Sequence, residues 1–347
     1  MTFPSVRTVE ILEEDDPALV AGELRVRTLY SGISAGTELA SYRGTSPHLT
    51  RRWDAEQRLF GDGGVAPAFP VTVLGYEEVG VVTEIAAGGP SAPGVSVGDL
   101  VWGTWGHRTH AVLDVEASAA RTLPVGSDPR IGIFSHIGAV ALNAVIDTDI
   151  HVGETVVVFG LGVPGQIVGQ LARLNGARVI GVDGIPARRE LASRLGAEIV
   201  LDPAYGVAER VRELTLGRGA DAVIEISGNS RALHEAIRTV AYNSRVVVAG
   251  FQQGEPDGLR LGEEFHHNRV QLVTSQISGS APAVSHRWDR LRLNRTIIDL
   301  ALQGRVDLVS LISDEVALDD VAAAYRMLDE RPHDALQVVI AMPEAGR

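Results

Sequence analysis

The sequence has no cysteine. Disulfides, thiolate nucleophiles and cysteine-ligated iron–sulfur clusters are therefore excluded. It also has no lysine, so all 31 cationic side chains are arginine. That removes an internal Schiff base, a pyridoxal-phosphate linkage and a phosphate-loop lysine. No stretch of roughly 18 uninterrupted apolar residues occurs, so no membrane span is expected. The opening residues Met1 to Arg7 hold no apolar run that would act as a secretion signal, and a cytoplasmic location is expected. Positive charge is in deficit, with a formal net charge of −13. That sign repels nucleic acid and anionic membranes, so neither is an expected partner. The same charge is also what simple solubility asks for.

What is present points to an enzyme-sized chain of 347 residues, long enough for about two domains. Hydrophobic residues make up 45%, enough for sizeable cores, and 38 glycines imply many tight turns or close backbone approaches. Residues 1–130 read as β-rich. Glu23 to Thr28 alternates with period two, Val79 to Ile85 is a second strand, and Gly98-Asp99 turns into Leu100-Val101-Trp102. Gly/Pro-rich breaks, such as Gly88 to Gly94, separate them, as in a barrel-like domain. From about residue 131 the rhythm changes. A helix is predicted over Ile137–Asp147, followed by strands at Thr155–Phe159, Arg178–Val182, Ala222–Ile226 and Arg245–Ala249. Helices at Gly165–Asn175, Ala187–Leu195 and Ser230–Ala241 alternate with them. Apolar strands alternating with helices predict a parallel sheet covered on both faces. After about residue 282 a helix around Leu291–Gln303 and a strand at Gln337–Ala341 close the chain. No internal repeat or low-complexity tract is visible.

The strongest motif follows Val156-Val157-Val158-Phe159. Gly160-Leu161-Gly162-Val163-Pro164-Gly165 is G-x-G-x-x-G between a strand and a helix. Gly160 permits the tight turn, Gly162 lets backbone approach a pyrophosphate, and Gly165 lets the helix pack on the strand. Asp183 ends the next strand, near the roughly 20-residue spacing at which a carboxylate accepts from ribose hydroxyls. Ser227-Gly228 and Ala249-Gly250-Phe251 are assigned to the same cofactor site. A carboxylate at Asp183 repels a 2′-phosphate, so NAD is favoured over NADP, although Arg188 and Arg189 nearby soften that preference. A bare strand–helix turn without ligand is the plainer alternative.

Four segments together resemble the medium-chain dehydrogenase/reductase superfamily over nearly the whole chain. They are Ser31-Gly32-Ile33-Ser34-Ala35-Gly36-Thr37-Glu38, Gly75-Tyr76-Glu77-Glu78-Val79-Gly80, Val97-Gly98-Asp99-Leu100-Val101 and the glycine fingerprint. The first is most similar to the subgroup of 2-desacetyl-2-hydroxyethyl bacteriochlorophyllide a dehydrogenase. The stretch from Ser275-Gln276 to Arg287-Trp288-Asp289 supports that more weakly. The resemblance implies an α/β protein: a GroES-like β-rich catalytic domain (1–130 and 282–347) around a doubly wound Rossmann domain (131–281). Zinc members of the superfamily hold a catalytic metal with Cys, His and a second Cys or Glu. Matched to them, the first Cys position is Ser34, the His is Tyr76, the following Glu is Glu77, and the last ligand position falls near His136. The four-cysteine structural lobe is absent. A serine hydroxyl and a tyrosine with a pKa near 10 are poor substitutes for thiolate and imidazole, so no zinc is expected.

A metal polarises a carbonyl by several kcal/mol, and positioned acid–base groups supply roughly 3–5 kcal/mol. Tyr76 is the first choice for proton donor or acceptor, with His136 and Glu77 assisting, Ser34 beside them and Thr37 relaying a proton as the resemblance implies. The plainer alternatives are a packed aromatic wall, a hydrogen-bonded helix histidine and a structural carboxylate. His107 and His110 read as a loop or strand pair. The long polar connection from Tyr42 to Phe69, with His48, Arg51, Arg52 and Trp53, reads as a solvated face or a substrate lid. The leading expectation is zinc-independent, NAD(H)-linked interconversion of a secondary alcohol and a ketone on a small molecule, by a homodimer. NAD(P)H-linked reduction of an activated C=C bond, and dinucleotide binding without turnover, are the competing readings.

Overall fold

The computed structural model describes residues 1–62, 68–88, 94–252 and 255–343. The chain forms two compact units, one of Met1–His136 with Ile312–Arg347 and one of Ile137–Leu311.

The first unit is built on a seven-stranded sheet. In spatial order its strands are Ile312–Ala317, Gln337–Ala341, Glu23–Ile33, Glu78–Ile85, Leu100–Gly103 and Thr122–Leu123, with His110–Asp114 also pairing on Glu23–Ile33. Glu23–Ile33 is the hub. Its alternation buries Leu24, Val26 and Thr28 against Val82, Val95 and Val101. Two register shifts against Glu78–Ile85 bend it, as bulges do in closed sheets. The strand Gln337–Ala341 comes from the far end of the chain and buries Val338, Val339 and Ile340 completely. A second cluster packs Phe3 edge to face on both Tyr42 and Tyr325, with Phe3–Tyr325 ring centroids 5.1 Å apart.

The second unit is the expected doubly wound sheet. Its six strands are all parallel, in the order Ile199–Leu201, Arg178–Val182, Thr155–Phe159, Ala220–Glu225, Val240–Val248, Gln271–Thr274. The direction of winding reverses between Thr155–Phe159 and Ala220–Glu225. Open α/β sheets bind ligands at the carboxyl ends of the strands flanking such a reversal. Val156, Val157 and Val158 are fully buried because helices cover both faces. The helical run Pro129–Thr148 is long and apolar enough to cross a membrane, but 78% of its most apolar window is buried inside the chain.

The strands and helices predicted from sequence all form, with ends displaced by a few residues. Arg245–Ala249 is the second half of a longer strand, Val240–Val248. The two compact units divide after His136 and Leu311. The helix Arg290–Leu302 explains the later limit. Its Ile297 lies where a Cβ on Gly138 would meet it at 2.6 Å, so it packs on the helix Ser135–Thr148. Gln170 then clasps the backbone of Asp307 at both ends of its amide, at 3.0 and 2.7 Å. Of the Gly88–Gly94 break, residues 89–93 lie outside the described residues. The Tyr42–Phe69 connection is more structured than its polarity suggests. It carries a hairpin, Arg51–Asp54 with Leu59–Asp62, on which Trp53 packs against Phe60 at 5.0 Å.

Candidate active site

The dinucleotide half lies at the carboxyl edge of the parallel sheet. Gly160 turns the chain with φ +92°, and a Cβ there would strike Ser227 at 2.7 Å. Gly165 starts the helix so close to the turn that a Cβ would meet the Gly160 carbonyl oxygen at 1.8 Å. The helix Val163–Leu174 has Gly162 as its N-cap, with no side-chain cap, and Pro164 in its first turn. Uncapped N–H groups at a helix start, beside a glycine turn, fit a pyrophosphate. Ser227-Gly228 and Ala249-Gly250 come to the same place: a Cβ on Gly250 would meet the Gly228 nitrogen at 2.2 Å. Phe251 stands 45% exposed beside them.

Asp183 is held by both oxygens. Oδ2 accepts the Leu161 N–H and Oδ1 the Ile185 N–H, each at 2.8 Å. The carboxylate thus ties the glycine turn to the loop after its own strand, and its other lone pairs are left for ribose hydroxyls. Arg188 approaches it at 3.9 Å, whereas Arg189 turns to the Asp183 carbonyl and to Asp202. Glu225 escaped sequence reading. Fully buried, it accepts from the Ser227 and Gly228 N–H groups at 2.7 and 3.1 Å, and from Gln252 at 2.6 Å. Burial pushes its pKa up against those hydrogen bonds, which pull it down. An acid ending the apolar run Ala222-Val223-Ile224 is the one signal that marks it.

A separate group of candidate residues lies in the first unit. The Tyr76 hydroxyl contacts Ser34 Oγ and donates to Thr37 Oγ1 at 3.2 Å. The His136 ring stands edge-on to Tyr76, with centroids 4.9 Å apart. Four of the five residues singled out from sequence therefore meet. Burial, then the charge of Glu77, pushes the Tyr76 pKa well above its ordinary value, against hydrogen bonds from Ser34 and Thr37. Part of the ring stays open to solvent, which screens the effect, but its sign is clear. Tyr76 is a phenol, not a phenolate, across the neutral range.

Glu77 departs from the expectation. Its side chain turns toward Gly32, where a Cβ would meet Oε2 at 2.5 Å, and that buried oxygen has no hydrogen-bond partner. Burial, then Glu38 and Glu78, raises its pKa well above the usual carboxylate range; the Gln337 amide opposes this.

Below lies a cluster that sequence reading missed almost entirely. His107 Nε2 is 2.8 Å from Glu38 Oε2, and His107 Nδ1 is 2.7 Å from Ser31 Oγ, which donates to Glu78 at 3.0 Å. Tyr325 donates to the same Glu38 oxygen. Glu38, Glu78, His107, Ser31 and Tyr325 are all buried. Burial lowers the His107 pKa, but the charges of Glu38 and Glu78 outweigh it and the net shift is upward. Removing one partner from a buried ion pair costs about 3–5 kcal/mol. His110, by contrast, sits in the strand His110–Asp114 and bonds only its neighbour Thr109 among the contacts resolved. Trp105 serves the fold, donating to Thr28 at 2.9 Å.

The residues at the metal position do not fit zinc. They offer one imidazole, one carboxyl group that burial keeps toward its neutral form and points elsewhere, and two neutral hydroxyls bonded to each other. Among the described residues, His234, Glu263 and Glu264 bring ligand atoms within 4.8 Å of one another. Arg260 and Arg238 pair with those carboxylates at 3.2 and 3.3 Å, which already neutralises them.

A family model described as zinc-binding dehydrogenase matches residues 160–291. D-guloside 3-dehydrogenase of Escherichia coli (strain K12) is 31% identical over 341 residues, 96% of each chain. L-idonate 5-dehydrogenase from Escherichia coli superposes with a TM-score of 0.77 at 18% identity, covering 98% of this chain and 96% of that one. A dehydrogenase from Sinorhizobium meliloti 1021, described as bound to NADP, superposes with a TM-score of 0.72 at 21% identity, covering 98% of each. The two-unit architecture, the glycine fingerprint and a relative matched end to end agree: the chain belongs to the medium-chain dehydrogenase/reductase superfamily.

Proposed function

We propose that the protein is an NAD(H)-dependent, zinc-independent oxidoreductase that interconverts a secondary alcohol and a ketone on a carbohydrate-derived molecule. The observation that carries this is the Ser34–Tyr76–Thr37 hydroxyl triangle beside His136, standing where the superfamily places its metal. The similarity to a guloside dehydrogenase supports a polyhydroxylated substrate. The nicotinamide cofactor supplies or takes up hydride. In ketone reduction Tyr76 gives its proton to the substrate oxygen and is reprotonated from solvent through the exposed Thr37; in alcohol oxidation it takes the alcohol proton as its own passes to Thr37 and out to solvent. Its raised pKa suits the donor role better than the base role. Asp183 supports NAD, because a carboxylate held through both oxygens at the end of its strand repels a 2′-phosphate. The exposed edge strand Gln271–Thr274 supports pairing with a second copy.

The test is a panel of sugars, glycosides and polyols with NAD and NADP, read by the absorbance of the reduced nicotinamide. Turnover with NAD, and of the corresponding ketones with NADH, is expected, and the ketone reduction should fall at least 10²-fold in Tyr76→Phe with cofactor affinity unchanged, as a lost proton donor requires. Full activity in Tyr76→Phe removes the proposed chemistry.

A further inference from the structure

The geometry points to Glu38 as the positioning residue that holds Ser34 and Thr37 against the Tyr76 hydroxyl. It rests on the reading of Tyr76 as proton donor and names what keeps that donor in place. Glu38 lies in the helix Thr37–Tyr42, directly after Thr37 and four residues past Ser34. Its carboxylate has two separate jobs. Oε1 accepts the Ser34 N–H at 2.8 Å, and Oε2 accepts from Tyr325 and faces His107 Nε2 at 2.8 Å. One end therefore clamps the turn that carries both hydroxyl partners of Tyr76. The other end is anchored in a part of the unit that no substrate reaches, since Glu38 is 3% and Tyr325 0% exposed.

The anchor is itself fixed. Tyr325 packs between Phe3 and Tyr42, at 5.1 and 5.5 Å between ring centroids. His107 is held on its other nitrogen by Ser31, which is bonded to Glu78. A displacement of about 1 Å in a reacting group costs up to 10²-fold in rate. Thr37 is exposed, and Glu38 holds the Ser34 turn a second time through its own N–H, which the Ser34 carbonyl accepts at 2.9 Å. Glu38 touches neither substrate nor the reacting atoms in this account. It acts through Ser34.

Glutamine at position 38 can keep an oxygen on the Ser34 N–H and turn its amide N–H toward the Tyr325 oxygen. Alanine keeps neither contact. A purely structural role makes Glu38→Gln and Glu38→Ala differ only in stability. A positioning role separates them in catalysis. We expect kcat to fall at least 30-fold in Glu38→Ala and to return to within about threefold of the parent in Glu38→Gln, the cofactor Kd being unchanged in both. Tyr325→Phe, which keeps the aromatic packing and leaves Oε2 to His107 alone, is expected to lower kcat about tenfold, and it carries the test if Glu38→Ala does not fold. A second readout needs no turnover. In protein labelled with 13C at tyrosine Cζ, with Tyr76 assigned through Tyr76→Phe, the Tyr76 signal should move in Glu38→Ala or Tyr325→Phe and return in Glu38→Gln. If the parent enzyme turns over nothing, the proposed function fails while this signal still judges the positioning. Parent-like kcat and an unmoved Tyr76 signal in Glu38→Ala and Tyr325→Phe would overturn the inference.

Discussion

At the scale of single residues, the chemistry turns on which groups hold protons. Tyr76 has its pKa raised, first by burial and then by Glu77. A raised pKa on an acid means that the protonated form persists to higher pH than an exposed tyrosine allows. Ketone reduction limited by this donor should therefore show no alkaline loss attributable to Tyr76 up to pH about 10. A kcat–pH profile with a limb several units lower, absent from Tyr76→Phe, contradicts that. Asp183 gives a second residue-scale expectation. Its carboxylate joins the glycine turn to the Ile185 loop through two charge-assisted hydrogen bonds, each worth about 1.5–3 kcal/mol. Asp183→Ala should weaken NADH by at least tenfold and narrow the gap to NADPH, because Arg188 is then released from its facing carboxylate. Fluorescence titration of both cofactors checks it, and an unchanged ratio argues that Asp183 only shapes the loops.

At the scale of elements, legibility followed the strength of the local pattern. The strand Thr155–Phe159, the glycine fingerprint and the helix Val163–Leu174 were readable because each local rule agrees with the others. The three-residue strand Ile199–Leu201 was not: it is too short for periodicity to mark. Nor was Gln271–Thr274, an edge strand with a mostly exposed pattern, or the strand Ile312–Ala317, which alternates without burying any residue fully. Ser34, Tyr76, Thr37 and His136 were legible through alignment to family motifs. The Glu38–His107–Tyr325 cluster was not, because its members lie on three separate elements and no spacing along the chain joins them. His107 reads as half of an ordinary pair with His110 until the fold shows one buried and the other on a strand. The glycine turn offers the sharpest element-scale test. Gly165→Ala places a methyl against the backbone oxygen of Gly160, which no rotamer can relieve. It should cost about 1–3 kcal/mol of stability from overpacking and abolish measurable dinucleotide binding. Thermal unfolding and titration of the same sample read both, and binding at parental affinity would show that the turn tolerates the shift.

At the scale of the whole molecule, the chain divides its chemistry between two units. Unit two carries the turn, the helix start and Asp183; unit one carries the hydroxyl triangle. Unit one is discontinuous, since Gln337–Ala341 is its buried second strand and pairs with Glu23–Ile33. The buried acids Glu38, Glu77 and Glu78 form a concentration of carboxyls that no arginine enters among the contacts resolved. His107, paired with Glu38, lies among them. Such a cluster, with hydroxyls above it, is the reverse of a metal cradle lined with thiolate and imidazole. Whether hydroxyls rather than zinc do the acid–base work is decided by the steady-state rate of exhaustively chelated protein, with its zinc content measured in the same sample. The full rate is expected at well under about 0.1 zinc per chain, with no gain on adding zinc. A rate lost on chelation and restored by one equivalent of zinc would contradict it.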